Sequence, residues 1–245
     1  MTGLLIASLA CGCRAWANQT GPLSRRFTVI AYDHRGIGKS ADAPPDFSLA
    51  DLASDAAGLL KALGHERAAV IGLSMGGVVA QKMAIDFPAC VERLVLAATC
   101  ARSSGAERLA LRALRELLES RGPRAFADRL AELTFSAAWR QAHVKECAKT
   151  AEMLAKNAER RSVVLRQMEL LMDYDLTRKL PAVRQAALAV AGREDVVTPP
   201  ECAMELGGLL RNCATEVLHG AGHGIATESA GEFNRLLLRF LRAEK

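Results

Sequence analysis

Three residue types that together can activate a hydroxyl group occur here in the order serine, aspartate, histidine. Ser74 lies in the segment GLSMGG at 72–77, Asp195 ends the segment GRED, and His223 lies in a glycine-rich loop. A serine hydroxyl is a weak nucleophile until an imidazole takes its proton, and a buried carboxylate orients that imidazole and supports its charged form. The three residues therefore predict nucleophilic catalysis by Ser74, with His223 as the base and Asp195 as the acid that orients it.

Ser74 lies where a predicted strand meets a predicted helix. Residues 68–73 form a short apolar run, typical of a strand buried on both faces, and residues 78–85 read as a helix that Pro88 closes. A Gly-x-Ser-x-Gly pattern at such a junction predicts a tight turn with a strained serine backbone, where only small residues two positions away avoid a clash. The amide of Met75 would then point at a negative oxygen formed beside Ser74.

Asp195 and His223 also follow predicted strands, at 186–191 and 214–218. Ligands bind outside the carboxyl ends of the strands in open parallel sheets, so we expect the three side chains to meet at one rim. Glu194 is the neighbouring alternative for the acid. The remaining histidines are interpreted as structural: His34, His65, His143 and His219.

The elements that must position these residues follow a simple order. Predicted strands and helices alternate over the first hundred residues, only helices follow, and the alternation resumes near residue 186. The pattern predicts an α/β fold with a mostly parallel sheet flanked by helices and an inserted helical cap. We expect a core of residues 1–100 and 181–245 and a cap of residues 101–180. A capping box at Ser48 and a helix end at Gly122-Pro123 support the helix assignments.

Composition excludes several function classes. Of the 245 residues, 50% are hydrophobic and only 4% aromatic, and the net charge of +5 is mild, so we expect no nucleic-acid partner. No stretch is long and apolar enough to cross a membrane, and we expect no membrane partner. The segment Gly38-Lys39-Ser40 resembles the end of a phosphate-binding loop, but Asp33 stands where that loop needs glycine. Nucleotide binding is therefore rejected.

The seven cysteines are scattered, odd in number and without metal-ligand spacing. They predict reduced thiols in a cytoplasmic protein, with no metal site.

Four segments in order resemble the α/β-hydrolase superfamily over nearly the whole chain. They are YDHRGIGKS at 32–40, GLSMGG at 72–77, GRED at 192–195 with Thr198-Pro199, and Gly222-His223. The sequence is most similar to small bacterial carboxylesterases and 3-oxoadipate enol-lactonase-like enzymes. This resemblance implies the α/β-hydrolase fold, favours Asp195 over Glu194, and implies a serine hydrolase that cleaves a small carboxylic ester or lactone through an acyl-enzyme, without a cofactor.

Two departures from that family pattern concern the start of the chain. The family carries His-Gly where this chain has Ala7-Ser8-Leu9-Ala10, so the amide of Leu9 is the expected second oxyanion donor by position. Ser8 stands in place of the family's glycine, and we expect it to make an unusual backbone angle there less favourable. The family's opening β-hairpin is missing, which would leave the strand at 27–32 as an apolar edge. Either the natural start lies upstream, which we favour, or a second subunit covers this edge in a homodimer.

Other activities stay open on the same three residues. Similar triads hydrolyse carbon–carbon bonds or act as cofactor-free perhydrolases and haloperoxidases, and a non-catalytic binding protein on the same scaffold is the alternative from another class. The substrate itself cannot be predicted from the sequence. Arg160, Arg161 and Arg166 are candidates to bind a substrate carboxylate, against the alternative of a solvated helix surface.

Overall fold

A six-stranded parallel sheet forms the centre of the computed structural model, which describes residues 1–41, 44 and 46–242. In chain order the strands are β1 (Thr2–Ile6), β2 (Thr28–Ala31), β3 (Ala68–Leu73), β4 (Val91–Ala97), β5 (Ala186–Gly192) and β6 (Cys213–Leu218). Across the sheet their order is β2-β1-β3-β4-β5-β6. The central strands are buried on both faces, as their continuous apolar runs predict.

Ten α-helices connect and cover these strands within the described part of the chain. They are α1 (Ala17–Ser24), α2 (Leu49–Ala62), α3 (Met75–Asp86), α4 (Gly105–Thr134), α5 (Ala137–Ala142), α6 (Val144–Ala158), α7 (Arg161–Met172), α8 (Pro200–Leu209), α9 (Ile225–Glu228) and α10 (Ala230–Arg242). The predicted capping box at the start of α2 is formed in both directions between Ser48 and Asp51. Pro200 opens α8, as its fixed φ favours.

The sheet separates two apolar cores because successive strand residues point to opposite faces. Leu4 and Val70 contribute to one core, with α2, α3, α8 and the helices inserted after β4. Leu5 and Ile71, one residue further along the same strands, contribute to the other core, with α1, α9 and α10. Helices on both faces of a parallel sheet confirm the predicted fold class.

Helices α4–α7 all lie between β4 and β5, and we call them the cap. The longest, α4, is interrupted at Gly122, whose φ of 83° is left-handed, and it resumes at Pro123. The predicted helix end at Gly122-Pro123 is therefore a break between two helical segments. Within the cap, α4 packs on α6 and α7 and buries Leu111, Leu114 and Leu118. The division of the chain into core and cap domains stays a prediction, and residues 42, 43, 45 and 243–245 of the predicted core lie outside the described residues.

Strand β2 is an edge of the sheet, as the sequence analysis predicts for the strand at 27–32. Its residues are exposed or half-buried, whereas those of its neighbour β1 are buried. Among the described residues, no helix combines the length and apolarity needed to span a membrane.

The expectation that all cysteines are reduced is wrong for one pair. Cys100 and Cys202 form a disulfide, with their Cα atoms 4.7 Å apart although 102 residues separate them in sequence. Cys100 follows β4 and Cys202 lies in the first turn of α8, so the packing of α8 beside the sheet brings the two sulfurs together. The other five cysteines are free thiols. Disulfides are rare in reducing compartments, so the cysteines no longer support the predicted cytoplasmic location.

Candidate active site

Ser74 occupies a strained turn between β3 and α3. Its φ of 55° and ψ of −117° place it in a region that L-residues rarely adopt. A Cβ on Gly72 would lie 2.6 Å from the nitrogen of Gly77, and one on Gly76 would lie 2.7 Å from the carbonyl oxygen of Ala7. These are backbone atoms that cannot easily move, so both positions require glycine. The predicted strain and the predicted need for small neighbours at this turn are observed.

The three predicted side chains meet at the carboxyl rim of the sheet. The Nε2 atom of His223 lies 2.8 Å from the Ser74 hydroxyl oxygen, and its Nδ1 atom lies 2.8 Å from Oδ2 of Asp195. All three side chains are buried. Because a carboxylate only accepts hydrogen bonds, the neutral His223 donates from Nδ1 to Asp195, and Nε2 is left to accept the proton of Ser74.

Asp195 is held by the loop that follows β5. Its Oδ1 accepts hydrogen bonds from the amides of Val197 and Thr198, at 2.8 and 2.9 Å, and its Oδ2 accepts one from the Thr198 hydroxyl at 2.8 Å. The alternative acid, Glu194, is exposed, whereas the carboxylate that contacts His223 is that of Asp195. The geometry therefore favours Asp195, in agreement with what the family resemblance implies.

The electrostatics of the pair keep Asp195 ionised and His223 basic. Burial alone would raise the pKa of Asp195, but the charge of His223 and the hydrogen bonds from His223 and Thr198 bring that pKa below its usual value. Burial alone would lower the pKa of His223, but the charge and hydrogen bond of Asp195, helped by Glu107 and Glu228, raise it above its usual value of 6.5. An ionised Asp195 therefore stabilises the imidazolium that forms when His223 takes a proton.

The loop that carries His223 is fixed to the cap by Glu228, which the sequence analysis did not identify. One carboxylate oxygen accepts a hydrogen bond from the amide of Gly222 and the other accepts one from the amide of Ser136 in the cap, each at 2.9 Å. The amide of Gly224 also donates to the carbonyl of Thr134. A glutamate in an ordinary short helix carries no motif that predicts such a bridge.

Of the two expected oxyanion donors, Met75 directly follows Ser74, and Leu9 lines the same cavity. Met75 is the first residue of α3, where an amide is free of the helical hydrogen-bond ladder, and Leu9 lines the cavity at Ser74 in the turn after β1. The left-handed backbone angle in that turn belongs to Ala10, with a φ of 55°, and not to Ser8 as expected. Two cap residues fix Ala10: its amide donates to Gln167 and its carbonyl accepts from Asn157.

A cavity of about 430 Å³ opens at Ser74 and His223. Loops at the sheet rim form one wall, and the cap forms the other, which is largely aliphatic and includes Leu111, Leu114 and Met153. One buried acid, Glu107, lines the cap side. The volume suits a small organic substrate whose apolar part lies against the cap.

The candidate arginines for a substrate carboxylate lie elsewhere. Arg160 donates to the carbonyl of Ser40, Arg161 to that of Glu119, and Arg166 to that of Phe47. They do not line the cavity at Ser74 within the described residues. Their hydrogen bonds hold cap to core and helix to helix, so the carboxylate-binding interpretation is not supported.

Asp33 has a structural role that agrees with the rejection of nucleotide binding. Its carboxylate accepts hydrogen bonds from the amides of Cys13 and Lys39, at 2.7 and 2.9 Å, and closes the turn after β2. Arg35 in the same turn forms a bidentate ion pair with Asp55 on α2.

A parallel sheet between helices, a serine on a strained strand-to-helix turn, and an acid and a histidine on later loops together define an α/β hydrolase. Comparison with known families agrees: residues 4–236 match the model of the alpha/beta hydrolase family. The chain belongs to this family and is a hydrolase.

Individual relatives are similar over most of their length. RutD of Caulobacter vibrioides, a proposed carbamate hydrolase, is 30% identical over 97% of this chain and 89% of its own. Among solved structures, the enol-lactonase of Burkholderia xenovorans has a TM-score of 0.91 at 26% identity and covers 99% of this chain and 91% of its own. A thermophilic esterase of Thermogutta terrifontis has a TM-score of 0.89 at 26% identity, with 99% and 89% covered.

Proposed function

We propose that this hydrolase is a serine enzyme that cleaves a small carboxylic ester or lactone through an acyl-enzyme. The observation that carries the proposal is the continuous hydrogen-bonded line from the Ser74 hydroxyl through His223 to Asp195, at the wall of a cavity. The similarity to an enol-lactonase and to an esterase supports the same choice of bond.

In the first half of the reaction, the Ser74 oxygen attacks the substrate carbonyl while Nε2 of His223 takes the hydroxyl proton. The ionised Asp195 holds the imidazolium that results. The amides of Met75 and Leu9 donate hydrogen bonds to the oxyanion of the tetrahedral intermediate. The intermediate collapses as His223 gives its proton to the leaving oxygen, and the acyl group remains on Ser74.

In the second half, water replaces the alcohol. His223 takes a proton from the water as it attacks the acyl carbonyl, and returns that proton to the Ser74 oxygen when the acid leaves. The proposed cap domain of residues 101–180 supplies the wall against which the acyl or alcohol group lies. The chain's own residues supply every proton transfer, so the proposed reaction uses no cofactor.

A panel of p-nitrophenyl esters of increasing acyl length, run beside an enol-lactone, tests the proposal. We expect hydrolysis of at least one member by the wild-type protein and a loss on the order of a millionfold in Ser74→Ala, because the triad acts as a unit. Near-normal rates in Ser74→Ala would contradict the proposal. Absence of turnover on the whole panel would favour the non-catalytic alternative.

Carbamate cleavage is a second candidate, which the relation to RutD favours. The carbonyl of a carbamate is attacked by the same serine, so the panel includes phenyl carbamate beside phenyl acetate, with phenol release as the readout. A higher kcat/KM on the carbamate would favour this candidate. Carbon–carbon bond hydrolysis and perhydrolysis on the same three residues stay predictions.

A further inference from the structure

The cap wall of the cavity contains a buried acid that the proposed reaction does not use. Glu107 lies in the first turn of α4 and is only 4% exposed. It lines the cavity together with Ala110, Leu111 and Leu114. Residues three, four and seven positions apart share one face of a helix, so Glu107 is the polar end of an otherwise apolar helix face directed at the substrate space.

The local sequence predicts that the side chain of Glu107 forms a capping box at the N-terminus of α4. Ser104 and Glu107 have the spacing of a capping box, a serine followed three residues later by an acid, as Ser48 and Asp51 do at the start of α2. At α2 both halves of the box are formed. At α4 the amide of Glu107 donates to the Ser104 hydroxyl at 3.0 Å. The carboxylate of Glu107 does not accept a hydrogen bond from the amide of Ser104 in return, and contacts Tyr174 instead.

The carboxyl group of Glu107 is instead held by one oxygen. Its Oε2 accepts a hydrogen bond from the buried hydroxyl of Tyr174 at 3.2 Å. Within the described part of the chain, Oε1 makes no hydrogen bond and Glu107 forms no ion pair. Buried acids are usually paired, because an unpaired buried charge is unfavourable. Glu107, which lines the cavity, therefore has one carboxylate oxygen that is free to accept a hydrogen bond.

We infer that Glu107 determines substrate specificity: its free oxygen accepts a hydrogen bond from a hydroxyl or N–H group of the substrate, and its charge disfavours substrates that carry a carboxylate. The inference rests on the proposed function, since it concerns the same cavity. Among the described residues that line the cavity, Glu107 is the one acid. The two cations of the lining, Arg14 and Lys149, are exposed to solvent, whereas Glu107 is buried against the aliphatic part of the cap wall. Such a wall binds a small substrate that is apolar except for one donor group.

Two matched ester series test this role at about pH 8.5, where a carboxyl with a pKa raised by burial to about 7 is ionised. The acyl series is 1-naphthyl butyrate, 1-naphthyl 3-hydroxybutyrate and 1-naphthyl hydrogen succinate. The alcohol series is propyl, 3-hydroxypropyl and 2-carboxyethyl butyrate. In each series the chain length is constant, and the members differ in having no polar group, a donor or a carboxylate.

In at least one series, we expect kcat/KM to be highest for the hydroxyl ester and lowest for the carboxylate ester. Glu107→Gln keeps an acceptor but removes the charge. It should raise kcat/KM for the carboxylate ester about tenfold relative to kcat/KM for the parent ester. Glu107→Leu, which removes both, should also abolish the preference for the hydroxyl ester. Glu116→Gln, on the exposed face of the same helix, is the matched control and should leave the ranking unchanged.

A flat ranking in both series, or a ranking that Glu107→Gln leaves unchanged, would overturn the inference. Labelling of Ser74 by a fluorophosphonate checks that each variant is folded, and if the Glu107 variants do not fold, the wild-type ranking decides. The proposed function fails separately: hydrolysis of the parent esters that survives in Ser74→Ala would overturn it, whereas Ser74-dependent hydrolysis with a flat ranking would overturn only the role of Glu107.

Discussion

Two walls enclose the cavity, and they are built from different kinds of structure. On the sheet side, Ser74, Asp195 and His223 each follow a parallel strand, and hydrogen bonds to backbone amides fix the loops that carry Asp195 and His223. On the cap side, most of the lining residues lie on α4 and α6, and packing between helices positions them. Backbone geometry tolerates few substitutions, whereas an apolar helix face tolerates many.

The difference indicates a division of tasks. The sheet side holds the reacting groups in position, and we expect changes there to act on kcat. The cap side sets the size and polarity of the space, and we expect changes there to act on the choice of substrate. Glu228 joins the two walls, because its carboxylate accepts one hydrogen bond from the amide of Gly222 on the sheet side and one from the amide of Ser136 on the cap side.

The largest effect on the sheet side is expected from His223→Ala. Without the imidazole, nothing takes the proton of Ser74, so kcat should fall on the order of a millionfold while KM changes little. Steady-state hydrolysis of the best p-nitrophenyl ester measures both constants. A loss of less than about a hundredfold would mean that His223 is not the base.

Asp195→Asn should lower kcat by about ten-thousandfold, because the amide no longer supports the reactive tautomer and charge of His223. It also changes the pH profile. His223 must be neutral to act as a base, and its raised pKa places the wild-type loss of activity on acidification above pH 6.5. Removal of the Asp195 charge lowers that pKa, so the acid limb of kcat/KM should move to lower pH. A limb that stays in place would contradict the assigned pairing.

Gly76→Ala tests the backbone constraint at the same wall. The new Cβ would overlap the carbonyl oxygens of Ile6 and Ala7, so we expect a loss of about 3 kcal/mol or more in the free energy of unfolding. Gly58→Ala on α2 is the matched control, since its Cβ meets open space and should stabilise the helix by about 0.5–1 kcal/mol. Urea denaturation of both variants measures the difference. Equal stabilities would remove the argument that Gly76 is needed for close packing.

Met153→Ala should have the smallest effect and act on the other wall. The shorter side chain widens the cavity at α6, so kcat/KM for longer acyl esters should rise by about tenfold while kcat for short esters stays within a few-fold. Leu109→Ala is the control, because Leu109 on α4 is 72% exposed, and it should leave the acyl-length profile unchanged. An unaltered profile in Met153→Ala would indicate that this part of the cap does not contact the substrate.

The same difference explains what the sequence could predict. The strand, turn and helix around Ser74 and the capping box at Ser48 are local or periodic features, and the structure contains them as predicted. Backbone chemistry determines such features within a few residues, whatever packs around them.

Features that arise from packing were missed or misplaced. The Cys100–Cys202 disulfide joins residues that are distant in sequence and meet only when α8 packs beside the sheet. The left-handed residue after β1 is Ala10 rather than Ser8, because cap side chains hold Ala10. Glu107 has the same spacing from a serine as a helix-capping residue, so its sequence gives no sign that its side chain lines the cavity.

The central claim is that His223 makes the Ser74 hydroxyl reactive, and labelling with a fluorophosphonate followed by peptide mapping tests it most directly. We expect one adduct per chain, located on Ser74, with labelling slowed at least on the order of a thousandfold in His223→Ala. Absence of an adduct, an adduct on another residue, or equal labelling of the wild-type protein and His223→Ala would contradict the account.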